Sequence, residues 1–284
     1  MKTYILTHRG LEPSQPNFYP ESSYEAFEDQ LKRGFGIEFD PNFCKDGIVV
    51  SHDSTLKRIT DGKDERAFSD VSIKELKSLR YGKEKQGRIP TLYEVLDLIR
   101  KSPSSLHAMH LKGKYQTLQT LNLLISHLEK YPDILNKLII FDIKLDSAQH
   151  LKSCIPILQV APSVAHHFDI KRYNSVVGET LFSIEEAIKN KHLYSWVWLD
   201  EWDTADENGE KLFYTKETFD ILKKQGYKIA LVTPELHGTS PGLYEGESHK
   251  HAKNKDILFK RIKEILFLEP DAICTDWPEE CSRI

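Results

Sequence analysis

The sequence predicts a (β/α)8 TIM barrel with a small hairpin insertion after the second strand. Three observations point there. Short runs of β-branched and aromatic residues alternate with amphipathic helical stretches from end to end. One run, Ile48–His52, follows its predecessor after only Phe43-Cys-Lys-Asp-Gly47, too short for a helical crossover and suited to an antiparallel hairpin. Setting aside that return arm leaves eight βα units in 284 residues, the content of one barrel.

In chain order the predicted strands are Tyr4–Thr7, Gly36–Asn42, Ile48–His52, Leu106–Lys112, Leu138–Lys144, Pro156–Ala161, Ser195–Asp200, Lys228–Thr233 and Ala272–Asp276. Each is bounded by polar or turn residues. Helix starts are written between them. Ser22-Ser-Tyr-Glu25 is a capping-box pattern, with Phe27 and Leu31 on one face and a stop at Gly34. Ser72-Ile-Lys-Glu75, Thr91-Leu-Tyr-Glu94 and Ser183-Ile-Glu-Glu186 repeat it. Further helices are predicted near 116–129, 147–153, 216–225 and 256–267. Leu118, Leu121, Leu124, Ile125 and Leu128 form a core-facing stripe. No Pro/Gly/Ser-rich linker splits the chain, so residues 1–284 are expected to form one barrel domain.

Composition narrows the functional classes. A net charge of −4 gives no general attraction to nucleic acid or to an anionic membrane. No apolar stretch reaches the roughly 18 residues that span a bilayer, so no stable membrane insertion is expected. The start, Met1 to His8, lacks the apolar segment of a signal peptide. Cys44, Cys154, Cys274 and Cys281 are scattered without a CxxC pair. They read as reduced thiols of a cytoplasmic protein. Oligomeric state is not written in the sequence.

Reactive groups of such a barrel sit at the C-terminal ends of its strands. Four of these ends are unusually polar: His8-Arg9-Gly10, Glu38-Phe-Asp40, His52-Asp53 and His110-Leu-Lys112. Glu38 and Asp40 are two apart, so their side chains project to one face. Buried carboxylates so placed repel unless a proton or a cation sits between them, and oxygen pairs suit Mg2+ or Ca2+. On an edge the same pair would be ordinary surface charge. With a symmetric turn centred on Lys45, Glu38 and His52 lie across from one another. Taken alone, His52 and His8 each read more readily as structural histidines than as catalytic ones. Beside the acids, they read as a general acid and a general base. Arg9 offers a forked donor for phosphate, Gly10 a close backbone approach to a ligand, and Lys112 a second positive charge. The set describes phosphodiester cleavage.

The ordered motifs His8-Arg9-Gly10, Pro20-Glu21-Ser22, Glu38-Phe-Asp40, Lys45-Asp-Gly47, His52-Asp53, Ile89-Pro-Thr-Leu-Tyr-Glu-Val-Leu96 and Asp271-Ala-Ile-Cys-Thr-Asp-Trp-Pro278 resemble the glycerophosphodiester phosphodiesterase family. The motifs are dense over residues 4–96, thin from 113 to 227, and return at the end. The resemblance implies a divalent-metal phosphodiesterase acting on a small-molecule diester and releasing sn-glycerol 3-phosphate and an alcohol. It implies His8 and His52 as the acid–base pair, Glu38 and Asp40 on the metal, and Arg9 on phosphate. The family's third metal ligand is usually a Glu in a Glu-x-Lys strand; the matching position here is His110, which would ligate the metal, hydrogen-bond substrate instead, or mark a degraded site. The family implies Mg2+ or Ca2+, and an imidazole turns the preference toward Mn2+ or Zn2+. The family's Pro-Glu-Asn ends in Ser22 here, and the seventh parallel strand ends Leu231-Val-Thr-Pro-Glu235 where the family often has Trp-Thr-Val-Asn. These departures keep two other readings open: a diesterase for glycosyl or inositol phosphodiesters, and a non-catalytic homologue that only binds phosphodiesters.

Weaker signals complete the reading. Trp198, Asp200, Glu201, Trp202 and Asp203 cluster at a strand end, where aromatics and acids could grip a polyol head group. Packing and solvation explain them equally well. Asp206-Glu-Asn-Gly209 reads as an Asn-Gly turn rather than a calcium loop, and His166-His167-Phe-Asp169 as a loop. The stretch from His237 to His251 reads as a long loop on the catalytic face with a lid or substrate-selecting role.

Overall fold

Parallel strands carry the frame in the computed structural model, which describes residues 3–15, 17–83, 86–206, 209–236 and 249–284. In chain order the strands are β1 (Tyr4–His8), β2 (Gly36–Phe39), β3 (Pro41–Cys44), β4 (Gly47–Val50), β5 (His107–His110), β6 (Leu138–Phe141), β7 (Gln159–Ala161), β8 (Ser163–Ala165), β9 (Leu181–Phe182), β10 (Trp196–Asp200), β11 (Ala205–Asp206), β12 (Gly209–Glu210), β13 (Lys228–Val232) and β14 (Ala272–Thr275). The large sheet runs β7-β6-β5-β2-β1-β14-β13-β10-β8-β9. Its two ends meet through one broken strand. β7 pairs with β6, β8 pairs with β10, and only Pro162 separates them. Proline has no N–H for a ladder, so the pairing changes partner there. Counting β7 and β8 as one strand, eight parallel strands close into the predicted barrel; β9 lies beside β8 as an extra short strand.

Alternation along the strands builds two cores. Leu6, Ala108, Ile139, Phe141, Trp196, Trp198, Ala230 and Cys274 pack inside the barrel. Their neighbours, among them Ile37, Met109, Ile140, Val197, Leu199 and Ile273, pack outward against the helices. A third cluster, Val49, Leu56, Phe68, Val71, Leu76 and Ile89, belongs to the insertion that opens with the antiparallel β3–β4 hairpin.

Local signals were followed closely, with informative exceptions. Ser72, Thr91 and Ser183 each make the expected capping box. The first helix starts one residue later than expected: Ser23 caps Tyr24–Lys32, while Ser22 takes a left-handed backbone with φ 55°. In the helix Leu118–Leu128, Leu121, Leu124, Ile125 and Leu128 are buried as expected, whereas Leu118, at its first position, is 67% exposed. His166-His167-Phe-Asp169 is not a loop; His166 caps a helix over His167–Val177. Ala205–Asp206 pairs antiparallel with Gly209–Glu210; the centre of the Asn-Gly turn expected between them lies outside the described residues. No helix among the described residues is long and apolar enough to cross a membrane. The expected loop from His237 to His251 lies, through residue 248, outside the described residues.

Candidate active site

Strand parity delivers the site. Leu6 and His8 on β1, Glu38 on β2 with Asp40 just beyond it, Ala108 and His110 on β5, and Trp198 and Asp200 on β10 all fall on the inward phase. At the C-terminal rim they open a cavity of about 550 Å3, which Arg9, His52, Lys112, Phe141 and Asp142 also line. Asp40 lies just beneath, 1% exposed. All eight residues singled out from sequence are therefore in one place.

Glu38 and Asp40 form the acidic floor. Glu38 Oε2 accepts the Arg9 N–H at 3.3 Å. Asp40 Oδ1 lies 2.9 Å from His110 Nδ1 and 3.4 Å from Lys112 Nζ. Asp40 Oδ2 is buried without a hydrogen bond; Arg9 Nε stands 3.9 Å away. Burial and repulsion from Asp40 push Glu38 up to about 8. Burial opposes ionisation of Asp40 too, but Lys112, His52 and His110 hold it well below the usual carboxylate range. Without a cation, then, Glu38 keeps a proton at neutral pH. Glu38, Asp40 and His110 each offer a ligand atom, all within 4.8 Å of one another. A divalent ion would take the place of that proton and meet the orphaned Asp40 oxygen, so the residues present fit a metal.

His110 lies between two carboxylates, with Nε2 3.1 Å from Asp142 Oδ2 as well. Against burial, the bonds to Asp142 and Asp40 raise it to about 10. Its ring is an imidazolium unless an ion displaces the proton on Nδ1.

The other two imidazoles are each keyed at Nδ1 by an aspartate. His8 Nδ1 lies 2.9 Å from Asp276 Oδ1, and His52 Nδ1 lies 3.0 Å from Asp53 Oδ1. Burial, reinforced by the Arg9 charge, lowers His8 to about 3 and His52 to about 4. Their partners diverge. Burial raises Asp276 to about 8. Asp53 is held well below the usual range despite burial, by hydrogen bonds from His52 and from Arg58, whose Nε and Nη2 sit 2.6 and 3.1 Å from its two oxygens. Arg9 Nη1 donates to Glu21 Oε2 at 3.1 Å, and Arg58 also pairs with Glu21. Lys112 Nζ donates to the His52 carbonyl.

Two expectations are corrected. His52 does not face Glu38 across the hairpin. A two-residue turn, Lys45-Asp46, joins Cys44 to Gly47, so the register shifts by one and Asp40 O accepts the Ser51 N–H at 3.0 Å. His52 then falls opposite Phe39 and still reaches the rim. Gly10 is buried and does not line this cavity. With φ 76° it lets the chain turn against Ala26, whose Cβ would lie 3.0 Å from an added methyl.

Residues 8–109, which contain most of these groups, match the model of the Glycerophosphoryl diester phosphodiesterase family. Over that stretch, about a third of its length, the chain is similar to that family. Among curated proteins, none matches it. Among solved structures, a protein of Galdieria sulphuraria is similar at 20% identity and TM-score 0.70, covering 100% of this chain and 97% of its own. A glycerophosphodiester phosphodiesterase of Agrobacterium tumefaciens is similar at 18% identity and TM-score 0.64, covering 99% and 98%. An Oleispira antarctica phosphodiesterase, solved with the product sn-glycerol-3-phosphate, is similar at 18% identity and TM-score 0.64, covering 99% and 95%. At such identities the likeness shows the shared fold.

Four acids of this rim were given no role by the sequence. Asp53 and Asp276 lie inside quoted motifs, and their adjacency to a histidine appears only in space. Asp142 directly follows β6, a strand-end position that signals a rim residue. Glu235 accepts from Thr233 Oγ1 and Thr275 Oγ1, both at 2.7 Å, and from the Asp276 N–H at 3.1 Å, fixing the strand end that carries Asp276. Of the acid–aromatic cluster, Trp198, Asp200 and Trp202 line the cavity. Glu201 turns away to accept the N–H groups of Phe213 and Tyr214 at 2.5 and 3.0 Å. Asp203 pairs with Arg172 and Lys211. Glu201, His249 and His251 also bring ligand atoms within 4.8 Å. Arg261 and the two backbone donors occupy Glu201, however, and His249 Nδ1 accepts the His251 N–H at 3.2 Å, so that cluster reads as internal packing.

Proposed function

We propose that this protein is a metal-dependent hydrolase that cleaves glycerophosphodiesters into sn-glycerol 3-phosphate and an alcohol by two-histidine acid–base catalysis. One observation carries the reading: two imidazoles on one cavity are each keyed at Nδ1 by an aspartate, and only one of those aspartates, Asp53, is also paired with an arginine, Arg58; burial favours the protonated form of Asp276, while the hydrogen bonds from His52 and Arg58 favour the ionised form of Asp53. Asp53 is ionised and takes the Nδ1 hydrogen of neutral His52. That leaves the Nε2 lone pair to accept a proton from the attacking hydroxyl. Asp276 keeps its proton and offers it to His8 Nδ1, so His8 presents Nε2–H to the leaving alkoxide. As the Nε2 proton departs, the Asp276 proton moves to Nδ1, and the ring stays neutral throughout. Arg9 and Lys112 place positive charge where a phosphate would lie. Glu38, Asp40 and His110 would hold the divalent ion, whose chemistry when bound is polarisation of a phosphoryl oxygen. The family implies Mg2+ or Ca2+; the imidazole favours Mn2+ or Zn2+.

The product bound to the Oleispira protein supports sn-glycerol 3-phosphate as the product here. Asp200 and Trp202 on the opposite wall favour a second reading of the released alcohol, a sugar or inositol head group. Four free cysteines suit a reducing cytoplasm. Turnover of glycerophosphocholine and glycerophosphoinositol with Mg2+, Ca2+, Mn2+ and EDTA tests the proposal. Activity should vanish with chelator and with His8→Ala or His52→Ala. EDTA-insensitive turnover would remove the metal, and binding without turnover would favour a non-catalytic homologue.

A further inference from the structure

A glutamate ligand presents either oxygen to an ion. An imidazole presents one nitrogen, and only when the other carries the hydrogen. His110 therefore needs an orienting group. Asp142 stands 3.1 Å from Nε2, while Nδ1 points at Asp40, 2.9 Å away. The ring also stacks on Phe141, the residue before Asp142, at 4.9 Å between centroids and 13° between planes. Phe141 in turn stacks on Trp198 at 3.7 Å. Two consecutive residues thus hold the ring by its face and its far edge.

The backbone bends to achieve this. Asp142 is a non-glycine residue at φ 62°, in the left-handed region, and is 7% exposed. Such a conformation persists only where its surroundings impose it. Gln116 imposes it here. Its Nε2 donates to the carbonyls of Asp142 and Leu111, both at 2.7 Å, and its Oε1 accepts the Lys144 N–H at 2.8 Å. The Leu111 N–H donates to the Phe141 carbonyl at 3.2 Å. The ends of β5 and β6 are tied together so that the Asp142 carboxylate reaches the histidine.

We propose that Asp142, held in this turn by Gln116, is a positioning residue that fixes the hydrogen of His110 on Nε2 and turns Nδ1 toward an ion shared with Glu38 and Asp40, making this a site for borderline divalent transition ions. The proposal rests on the reading of those three residues as the metal site. Carboxylate partners of metal-bound histidines act this way, and their loss typically weakens metal binding about 10–100-fold.

Glycine suits the left-handed backbone, so Asp142→Gly removes the carboxylate while easing the turn. Calorimetric titration of the apoprotein with Mn2+ and Zn2+ reads the effect directly. The variant should melt no lower than wild type, yet bind both ions about 10–100-fold more weakly. In a His110→Glu background the same change should cost about threefold or less, the residue of lost charge alone, because a carboxylate ligand needs no tautomer fixed. Asp142→Asn, which keeps the shape, should fall between wild type and glycine. Wild-type affinity in Asp142→Gly would overturn the proposal. So would equal losses whether His110 is present or replaced through His110→Glu, or a lowered melting temperature accompanying the loss, which would mark a structural role. Failure of wild type to bind any transition ion would instead overturn the metal site itself.

Discussion

Replacing Asp276 by Asn separates the two histidines. With the carboxylic acid present, the His8–Asp276 pair keeps its transferable proton up to a pH of about 8. Without it, His8 must hold the proton alone, and burial beside Arg9 lowers it to about 3. At pH 7 the acid form then falls by about four decades. General acid catalysis contributes about 10^2–10^4-fold, which bounds the loss in kcat for a diester with a poor leaving group such as choline or glycerol. A p-nitrophenyl phosphodiester leaves as a stable phenolate and needs little protonation. On it, Asp276→Asn should lose far less, whereas His52→Ala should be crippled on both. The assay is steady-state kcat for the alkyl and aryl diesters, wild type and variants side by side. Equal losses on both diesters in Asp276→Asn would refute the assignment of His8 as the acid. So would full activity on the alkyl diester.

Three further outcomes follow from the same coordinates. In wild type, kcat/KM should rise with pH as His52 becomes neutral through about 4 and fall as the His8–Asp276 pair loses its proton through about 8; a bound cation pulls both limbs lower. A pH–rate profile whose falling limb survives unchanged in Asp276→Asn would contradict the pairing. Lys211→Met should destabilise by about 3 kcal/mol, seen as a drop in Tm of about 6–10 °C, because Lys211 Nζ lies 2.7 Å from Asp169, which is 0% exposed. A shift under about 1 °C would mean Arg172 alone satisfies that carboxylate. Gly36→Ala should cost about 1–3 kcal/mol by denaturant unfolding, since its Cβ would run into the Leu106 carbonyl and the Leu6 side chain; an unchanged midpoint would show that β1, β2 and β5 separate freely.

Much of the fold was legible because a barrel writes its rules locally. Period-2 runs, capping boxes and one turn too short for a crossover are each decided within about ten residues, and Ser72, Thr91 and Ser183 cap where their neighbours dictate. What failed was set by distant partners. Ser22 gave up its cap to Ser23 because its N–H donates to the Arg9 carbonyl at 2.7 Å, across a turn no local pattern displays. The helix over His167–Val177 looked like a loop because its buried face is mostly one charged side chain, Asp169, satisfied by Lys211 far along the chain.

The site divides along the same line. Residue type and strand parity are sequence properties, and they sufficed to bring His8, Glu38, Asp40, His52 and His110 to one rim. Proton inventory is not a sequence property. His8 and His52 are the same residue with nearly the same lowered proton affinity, yet one sits beside an acid that burial keeps neutral and the other beside an acid that Arg58 keeps ionised. That contrast depends on whether an arginine reaches the aspartate, and Arg58 does so from the insertion after β4, not from the barrel. The same holds at residue 110. Reading a histidine where a glutamate is expected suggests a weakened site, but Asp142 and Phe141 hold the ring by edge and face, so the substitution arrives with its own support. The sequence shows which groups can meet; only the contacts around each group decide which proton it carries, and therefore what it can do.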